Sequence, residues 1–312
     1  MADGALRVAV TGAAGFLGRA VVPALRDDPA IGRVVAIDRV SGDIAGVEWV
    51  LADIRDTALA DRLSGVHVVV HLAAVVLGDM RLAEDVNVRG TANVTRAAAK
   101  AGCRRLVHAS SVAAYGFGVA GRLLTEEDPL RPLDAFPYSR TKGAAERALD
   151  EGEKSYPELQ IARLRPSIIL GPNNHELATR LAGGLSVRPG RNASATQYVH
   201  IDDVVEAFRL ATLSDATGAF NISPSDTLTY RDMATIAGAR LVTVPAGVAR
   251  FATRLAERYR PAMGIDPGWV IIAQRPPLVS SEKAERVLGW RPKYSGRETV
   301  EEFVRTTRGG KR

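Results

Sequence analysis

Cysteine, long apolar runs and clustered basic residues are all scarce in this chain of 312 residues. Cys103 is the sole cysteine, so no internal disulfide can form, which favours a reducing environment. No apolar stretch approaches the roughly 18 uncharged residues that a membrane-spanning helix requires. The opening sequence MADGALRVAVTG has neither the basic region nor the apolar core of a signal peptide. We therefore expect a cytoplasmic protein with no membrane span.

Two further functional classes lack support. The net charge is +6 and the pI is near 9.7, but the arginines are scattered and no nucleic-acid motif accompanies them. His67 and His71 lie four residues apart in a predicted strand, with no acid or cysteine to complete a metal site. His200 with Asp202 and Asp203 is more typical of a hydrogen-bonded turn. We predict neither nucleic-acid binding nor a bound metal.

The first half of the chain alternates apolar, β-rich runs with helical patterns. Several of the runs are apolar throughout, which is typical of parallel strands covered on both faces. The predicted strands are Leu6–Thr11, Val34–Asp38, Val47–Leu51, Val66–Leu72, Arg105–Ser110 and Ile161–Leu170. The predicted helices are Leu17–Leu25, Ala58–Leu63, Val86–Ala101 and Tyr138–Leu149. The pattern predicts an α/β fold with a Rossmann-type, doubly wound parallel sheet.

The pattern changes after Gly171-Pro172. Sequence rich in Gly, Asn, Ser and Arg runs to about Thr196, and a strand and helix follow over Tyr198–Leu213, then a strand at Ala219–Ile222. From Ser223 the chain is irregular and helical, with prolines that signal turns. We expect a large sheet domain formed by residues 1–171 and about 197–222. A smaller, discontinuous C-terminal domain would comprise about 172–196 and 223–312.

Glycines recur every third residue directly after the first predicted strand, in TGAAGFLG at 11–18. Gly12, Gly15 and Gly18 would permit a tight turn and a close approach of backbone to a pyrophosphate at a helix N-terminus. The spacing is GxxGxxG rather than GxGxxG, and a purely structural turn is the alternative. The strand before it and the helix after it favour a dinucleotide site.

An acid ends the next predicted strand, as dinucleotide binding requires. Asp38 lies twenty residues beyond Gly18, where a carboxylate would accept hydrogen bonds from ribose hydroxyls. A carboxylate repels the 2′-phosphate of NADP, so Asp38 favours NAD, whereas the adjacent Arg39 keeps NADP possible. A simple strand-end cap is the alternative role for Asp38.

Tyr138 and Lys142 are four residues apart in a predicted helix, so they share one face. A free phenol has a pKa of about 10 and is a poor base at neutral pH. A neighbouring ammonium favours the phenolate, so we expect a lowered pKa for Tyr138. Ser110 and Ser111 end a predicted strand, at the sheet edge where ligands of α/β folds bind. A solvated helix face and a turn-capping serine are the structural alternatives.

Nine segments, in order along the chain, resemble the extended short-chain dehydrogenase/reductase family, and in particular its NAD-dependent epimerase/dehydratase branch. They are TGAAGFLG (11–18), ADIRD (52–56), HLAA (71–74), NVRGT (87–91), SSVAAYG (110–116), YSRTK (138–142), RPSIILGP (165–172), YVHIDD (198–203) and LGWRP (288–292).

The resemblance implies a role for individual residues. Tyr138 would be the catalytic acid or base, Lys142 would tune it and bind the nicotinamide ribose, and Ser111 would orient the substrate oxygen. Asn87 would occupy a supporting position, and Pro166 would approach the nicotinamide. Further cofactor contacts would come from Phe16 and Leu17 in the glycine turn, from Asp53 and Ile54 at the adenine, and from Leu72, Ala73 and Ala74 along the cofactor.

Two positions depart from the family pattern. Sugar-nucleotide epimerases of this family usually carry an arginine and an acid where this chain has Thr196-Gln197, and that arginine grips the substrate pyrophosphate. Arg188, Arg191 or Arg275 would have to replace it. Ser280 and Ser281 stand where many relatives have an aspartate. Both departures weaken the case for a sugar-nucleotide substrate.

The sequence therefore favours an NAD(P)-dependent enzyme that oxidises a secondary hydroxyl by hydride transfer, in the manner of an epimerase or dehydratase. A net dehydrogenase or reductase of a hydrophobic, steroid- or terpenoid-like alcohol or ketone is the alternative. A third possibility is an NAD(P)-binding regulatory protein, although Ser111, Tyr138 and Lys142 argue against it. Relatives commonly pair through the helix of Tyr138, so a homodimer is expected.

Overall fold

A computed structural model describes residues 5–76, 82–172, 185–259 and 266–309. Seven strands form one parallel sheet in the order β3-β2-β1-β4-β5-β6-β10. The strands are β1 Leu6–Thr11, β2 Ile31–Asp38, β3 Glu48–Leu51, β4 Val68–His71, β5 Arg105–Ala109, β6 Gln160–Pro166, β7 Ile168–Leu170, β8 Leu185–Pro189, β9 Tyr198–His200, β10 Gly218–Ile222 and β11 Arg240–Val244. The predicted doubly wound α/β fold is confirmed.

Helices cover both faces of this sheet. They are α1 Gly18–Arg26, α2 Leu59–Arg62, α3 Thr91–Lys100, α4 Pro137–Ser155, α5 Ile201–Leu213, α6 Tyr230–Ile236, α7 Ala246–Tyr259, α8 Gly268–Ile272, α9 Glu282–Leu288 and α10 Gly296–Gly309. α1 and α5 pack on one face, and α2, α3 and α4 pack on the other. None of the helices in the described ranges is both long and apolar enough to cross a membrane.

Burial on both faces explains the continuous apolar strands. In β1, Val8 and Val10 belong to the apolar cluster beneath α1 and α5, whereas Ala9 belongs to the cluster beneath α3 and α4. Val68 and Val70 of β4 alternate with Val69 in the same way. Successive side chains of a strand point to opposite faces, so a strand covered twice needs apolar residues at every position.

The predicted strand Ile161–Leu170 is two strands. β6 ends at Pro166 within the large sheet, and β7 pairs instead with β9 in a separate two-stranded sheet. Pro166 has no N–H for a ladder hydrogen bond, and Ser167 donates its N–H to Ile222 O of β10 at 3.1 Å before the chain turns away. The sequence hides this change of sheet because only Ser167 separates the two strands.

The predicted helix Val86–Ala101 also differs in detail. Its first part is a π-helix, Glu84–Gly90, which continues directly into α3.

Beyond the large sheet, β8 pairs with β11, and α6 and α10 pack on Leu170 and Leu228 in a small apolar cluster of their own. The division of the chain into two domains stays a prediction.

Candidate active site

The glycine turn brings β1 and α1 closer together than larger side chains would allow. Gly12 has φ +74°, and a Cβ there would lie 2.5 Å from the backbone nitrogen of Ala73. A Cβ on Gly18 would lie 2.2 Å from Gly12 O. Only glycine fits at either position, because the obstructing atoms are backbone and cannot move aside. The turn therefore leaves room for a ligand against the end of β1.

The start of α1 is open to an anion. No side chain caps this helix, and its first turn carries no acidic residue. The first N–H groups of a helix have no partner within the helix, and together they carry a partial positive charge. Phe16 and Leu17, which precede the helix, line the same cavity as Gly12, Gly15 and Gly18. These residues fit a pyrophosphate.

Asp38 is fixed at the end of β2. Its carboxylate accepts hydrogen bonds from the backbone N–H of Ala14 at 3.0 Å and of Arg39 at 2.7 Å. Asp38 and Arg39 both line the cavity. The carboxylate is thus held in one orientation beside the glycine turn, where it fits the hydroxyls of an adenosine ribose.

Asp53 and Ile54 line the next part of the same wall. Arg55 donates two side-chain hydrogen bonds to Asp53, at 2.9 and 2.7 Å, and these lower the pKa of the Asp53 carboxyl to about 2. Asp53 is therefore ionised at neutral pH. Leu72, Ala73 and Ala74, which follow β4, continue the wall toward the middle of the cavity.

Asn87 lies behind this wall, not on it. Its side-chain amide binds both backbone groups of Val75, at 2.7 and 2.9 Å, and donates to Thr141 Oγ1 of α4 at 3.2 Å. The residue is buried. Asn87 thus ties the segment after β4 to the helix that carries Tyr138, in keeping with a supporting position.

Ser111, Tyr138 and Lys142 meet in the middle of the cavity. The Ser111 hydroxyl is near enough to the Tyr138 phenol to lower its pKa. Lys142 Nζ donates to Ala109 O at 2.7 Å and lies 5.9 Å from the centroid of the Tyr138 ring. Pro166, at the end of β6, lines the cavity beside them. The predicted residues therefore share one site, although nearly 30 residues separate Ser111 from Tyr138 in sequence.

The expected lowering of the tyrosine pKa is wrong for this geometry. Burial raises the pKa of the Tyr138 phenol, and the neighbouring Ser111 hydroxyl lowers it by less. Burial also lowers the pKa of the Lys142 ammonium to about 8, against the opposing effect of the Glu146 charge. Removal from water disfavours both the phenolate of Tyr138 and the ammonium of Lys142. The four-residue spacing in sequence does not show how deeply these groups are buried.

A buried ionic cluster behind the site escaped the sequence analysis. Glu146 accepts hydrogen bonds from Ser110 Oγ at 2.6 Å and from Arg165 Nε at 2.7 Å, and Arg165 also donates to Tyr115 Oη at 2.8 Å. Two signals were present in the sequence. Glu146 follows Lys142 by one helical turn, and Arg163 and Arg165 share one face of an otherwise apolar strand.

The far end of the cavity is aromatic and aliphatic. The indole of Trp269 stacks on Tyr138, with ring centroids 6.0 Å apart and planes at 25°. Tyr198, Leu228, Tyr230 and Ile272 line the same end. These residues were also missed, because no local motif marks them. The whole cavity has a volume of about 640 Å³.

Gln197, which departs from the family pattern, makes structural contacts, and so do two of the arginines that would have to replace the missing one. Gln197 is buried, donates to Pro224 O and Val279 O at 3.0 Å each, and accepts from Val279 N at 2.8 Å. Its amide therefore joins two distant segments. Arg275 lies over the ring of Phe117, at 5.0 Å from its centroid. Arg188 donates to Ala193 O at 3.2 Å.

Comparisons with known proteins agree with this geometry. A family model described as the NAD-dependent epimerase/dehydratase family matches residues 8–223. The UDP-glucose 4-epimerase of Mycolicibacterium smegmatis is 30% identical over 96% of this chain and 97% of that protein. The N-acetyl-alpha-D-glucosaminyl-diphospho-ditrans,octacis-undecaprenol 4-epimerase of Escherichia coli O157:H7 is 30% identical over 68% of this chain and 64% of that protein. The solved structure of MoeE5 in complex with UDP-glucose and NAD has a TM-score of 0.77 and 26% identity, over 97% of this chain and 99% of that one.

Proposed function

The chain belongs to the NAD-dependent epimerase/dehydratase family, and on that premise we propose that it oxidises a secondary hydroxyl with Tyr138 as the group that exchanges the proton. One observation carries the proposal. Ser111, Tyr138 and Lys142 line the same cavity as the glycine turn and Asp38, so a dinucleotide and a substrate hydroxyl can meet there. A regulatory protein without catalysis would not need these three side chains together.

The residues of the cavity fit NAD. The open start of α1 and the glycine turn would hold the pyrophosphate, Asp38 would bind the ribose hydroxyls, and Asp53 and Ile54 would lie beside the adenine. Lys142 and Pro166 would lie at the nicotinamide end. When bound, NAD supplies a hydride acceptor with a positively charged ring. The fixed carboxylate of Asp38 supports a preference for NAD over NADP, since a 2′-phosphate would meet a negative charge.

The protein's own groups handle the proton. Ser111 Oγ would donate a hydrogen bond to the substrate oxygen and hold it beside the Tyr138 phenol. Tyr138 would accept the hydroxyl proton during oxidation and return it during reduction. Because burial disfavours the phenolate, positive charge nearby must stabilise it, and Lys142 contributes such a charge. The ketone formed would either be reduced again at the same site or leave.

A Tyr138→Phe variant tests this proposal. We expect turnover to fall by at least about a hundredfold, because general acid–base groups of this kind commonly contribute factors of 10²–10⁴. Affinity for NAD should stay within twofold of the wild type. Tyr156→Phe, near the C-terminal end of the same helix, is the matched control and should retain full activity.

The assay must include both substrate classes and both cofactors. UDP-sugars and lipophilic secondary alcohols should each be incubated with NAD and with NADP, with NADH measured optically and products separated by chromatography. Net NADH indicates a dehydrogenase, and a new sugar isomer without net NADH indicates an epimerase. Unchanged turnover in Tyr138→Phe would contradict the assigned role. A cytoplasmic location and a homodimer through α4 stay predictions.

A further inference from the structure

One end of the cavity, which we call the substrate-side wall, is formed mainly by apolar groups. Its aromatic residues are Trp269, Tyr198 and Tyr230, and its aliphatic residues include Leu228, Met233 and Ile272. They come from β9, α6, α8 and the segment before α6, so distant parts of the chain combine to form one apolar surface. Such surfaces bind ligands by removing apolar area from water.

The tyrosines of this wall remain neutral. Burial raises the pKa of the Tyr198 phenol, with a smaller contribution from Tyr230, and burial likewise raises the pKa of Tyr230. Neither phenol therefore supplies charge at physiological pH. Each offers an aromatic face and one hydroxyl, which suits a ligand with a large apolar surface and few polar groups.

Among the described residues, Lys142 is the only cation lining the cavity near the substrate-side wall. The charge of Arg188, on β8, opposes the effect of burial on the pKa of Tyr230, but the Arg188 guanidinium donates to Ala193 O and does not line the cavity. Arg39 and Arg55 also line the cavity, but they lie beside Asp38 and Asp53 at the opposite end. Arg275 stacks on Phe117 and does not line the cavity. A diphosphate in this wall would need charge-assisted hydrogen bonds to replace its hydration, and burying it without them is costly.

Aromatic rings continue up to the reacting group. Trp269 stacks on Tyr138 and makes an edge contact with Phe136, at 4.8 Å between centroids. The approach depends on Gly268, where a Cβ would lie 2.2 Å from the Phe136 ring. A substrate carbon next to the reacting hydroxyl would therefore meet the indole face. Apolar contact would be strongest close to the carbon that loses hydride.

We propose that the substrate is an uncharged, ring-containing lipophilic secondary alcohol, or the corresponding ketone, rather than a nucleotide diphosphate. This inference rests on the proposed function. In the oxidation, the carbinol C–H bond breaks and its hydride passes to NAD, while the O–H proton passes to Tyr138 and then to solvent. The products are the ketone, NADH and a proton, so no further reactant is needed.

Binding to the NAD-saturated Tyr138→Phe protein tests the substrate class without requiring turnover. The probes are cyclohexanol, 4-tert-butylcyclohexanol and a 3-hydroxysteroid, compared with UDP-glucose, and the readout is calorimetry. We expect affinity to rise about fourfold for each additional buried methylene and UDP-glucose to bind at least about tenfold more weakly than the steroid. Tighter binding of UDP-glucose, or no binding of any alcohol, overturns the inference.

Two variants locate the site. Trp269→Ala should weaken alcohol binding at least about tenfold and leave NAD binding unchanged, whereas Trp49→Ala, next to Gly42 and far from the wall, should leave alcohol binding unchanged. Thr196→Arg should strengthen UDP-glucose binding by supplying a guanidinium. Equal alcohol affinity in Trp269→Ala and wild type would overturn the assignment.

The two proposals fail in different ways. Alcohols that bind as expected but are never oxidised by the wild type would leave the substrate-side wall as inferred and contradict hydride transfer with Tyr138. NAD-dependent conversion of UDP-glucose, lost in Tyr138→Phe, would uphold the proposed function and overturn the lipophilic substrate.

Discussion

Glu146 and Arg165 form a buried ion pair behind Ser111, Tyr138 and Lys142. The guanidinium donates from Nε at 2.7 Å and from Nη2 at 2.9 Å to the two carboxylate oxygens. Glu146 also holds Ser110, the neighbour of Ser111, at 2.6 Å, and its charge raises the pKa of Lys142. The pair therefore holds the neighbour of Ser111 and also affects the protonation of Lys142.

Replacing Glu146 by Gln should destabilise the protein by about 3 kcal/mol. Removal of the carboxylate leaves a charged guanidinium buried without an opposing charge, and such a loss commonly costs 3–5 kcal/mol. Urea denaturation would measure the change. Glu151→Gln is the control on the same helix, because Glu151 pairs with Lys154 at the surface and such pairs contribute less than about 1 kcal/mol. Equal losses in both variants would contradict the role of the buried pair.

Replacing Gly12 by Ala should abolish binding of NAD, and the variant should fold poorly. The new methyl group would meet Ala73 backbone at 2.5 Å, in a backbone conformation that favours glycine. Calorimetric titration with NAD and thermal denaturation measure the two effects. Gly247→Ala serves as the comparison, since it lies in α7 with nothing within 4 Å of the added Cβ and should fold and bind normally. Normal NAD affinity in Gly12→Ala would be the contrary result.

Replacing Asp38 by Ala should weaken NAD binding about tenfold and reduce the preference for NAD over NADP. The ribose hydroxyls lose a charged acceptor, whose hydrogen bonds contribute about 1.5–3 kcal/mol, and the 2′-phosphate loses a repulsive neighbour. Dissociation constants for both cofactors would show the change. Asp43→Ala is the surface control, with a carboxylate 3.7 Å from Arg19. An unaltered NAD to NADP ratio would mean that Asp38 only caps the turn.

Two buried histidines should make the protein sensitive to mild acid. Burial lowers the pKa of His71 to about 3 and that of His108 well below its usual value. Both rings are therefore neutral in the folded state, whereas the unfolded chain binds protons below about pH 6.5. The free energy of unfolding should fall by about 1.4 kcal/mol per pH unit for each ring as the pH drops below 6.5.

His108→Leu should halve this dependence and stabilise the protein by about 1 kcal/mol at pH 7. Neither ring nitrogen of His108 has a hydrogen-bond partner among the described residues, so an apolar side chain removes an unsatisfied group. Urea denaturation from pH 7 to pH 5 would compare the variant with wild type. A slope identical to that of the wild type would show that His108 takes no part in the acid sensitivity.

The part of the cavity lined by the glycine turn, Asp38 and Asp53 was largely predictable from sequence. Its residues lie in short contiguous motifs, such as the glycine turn, and each motif follows a strand whose carboxyl end must face the ligand. The alternation of strand and helix predicts a parallel sheet, although it does not determine the order of the strands. Short sequence motifs were sufficient to predict these residues, because the backbone conformation of each motif places them at the cavity.

The substrate-side wall was not predictable in the same way. Trp269 reaches Tyr138 from 131 residues away in sequence, on a helix that has only five residues. Periodicity cannot place so short an element, and the tertiary packing that brings it there leaves no local trace. The pKa of Tyr138 was missed for a related reason, because desolvation is a property of the assembled cavity.

The chain passes from the large sheet to the small one at Ser167, so Pro166 and Ile168 are held close together. Pro166 lines the cavity from the large sheet, and Ile168 lines it from the small one, with a single residue between their backbones. Two peptide units span at most about 7.6 Å, so covalent bonds limit how far the two compartments can separate. Substitutions can therefore change the side chains on either side of Ser167, but they cannot lengthen the connection between the two sheets.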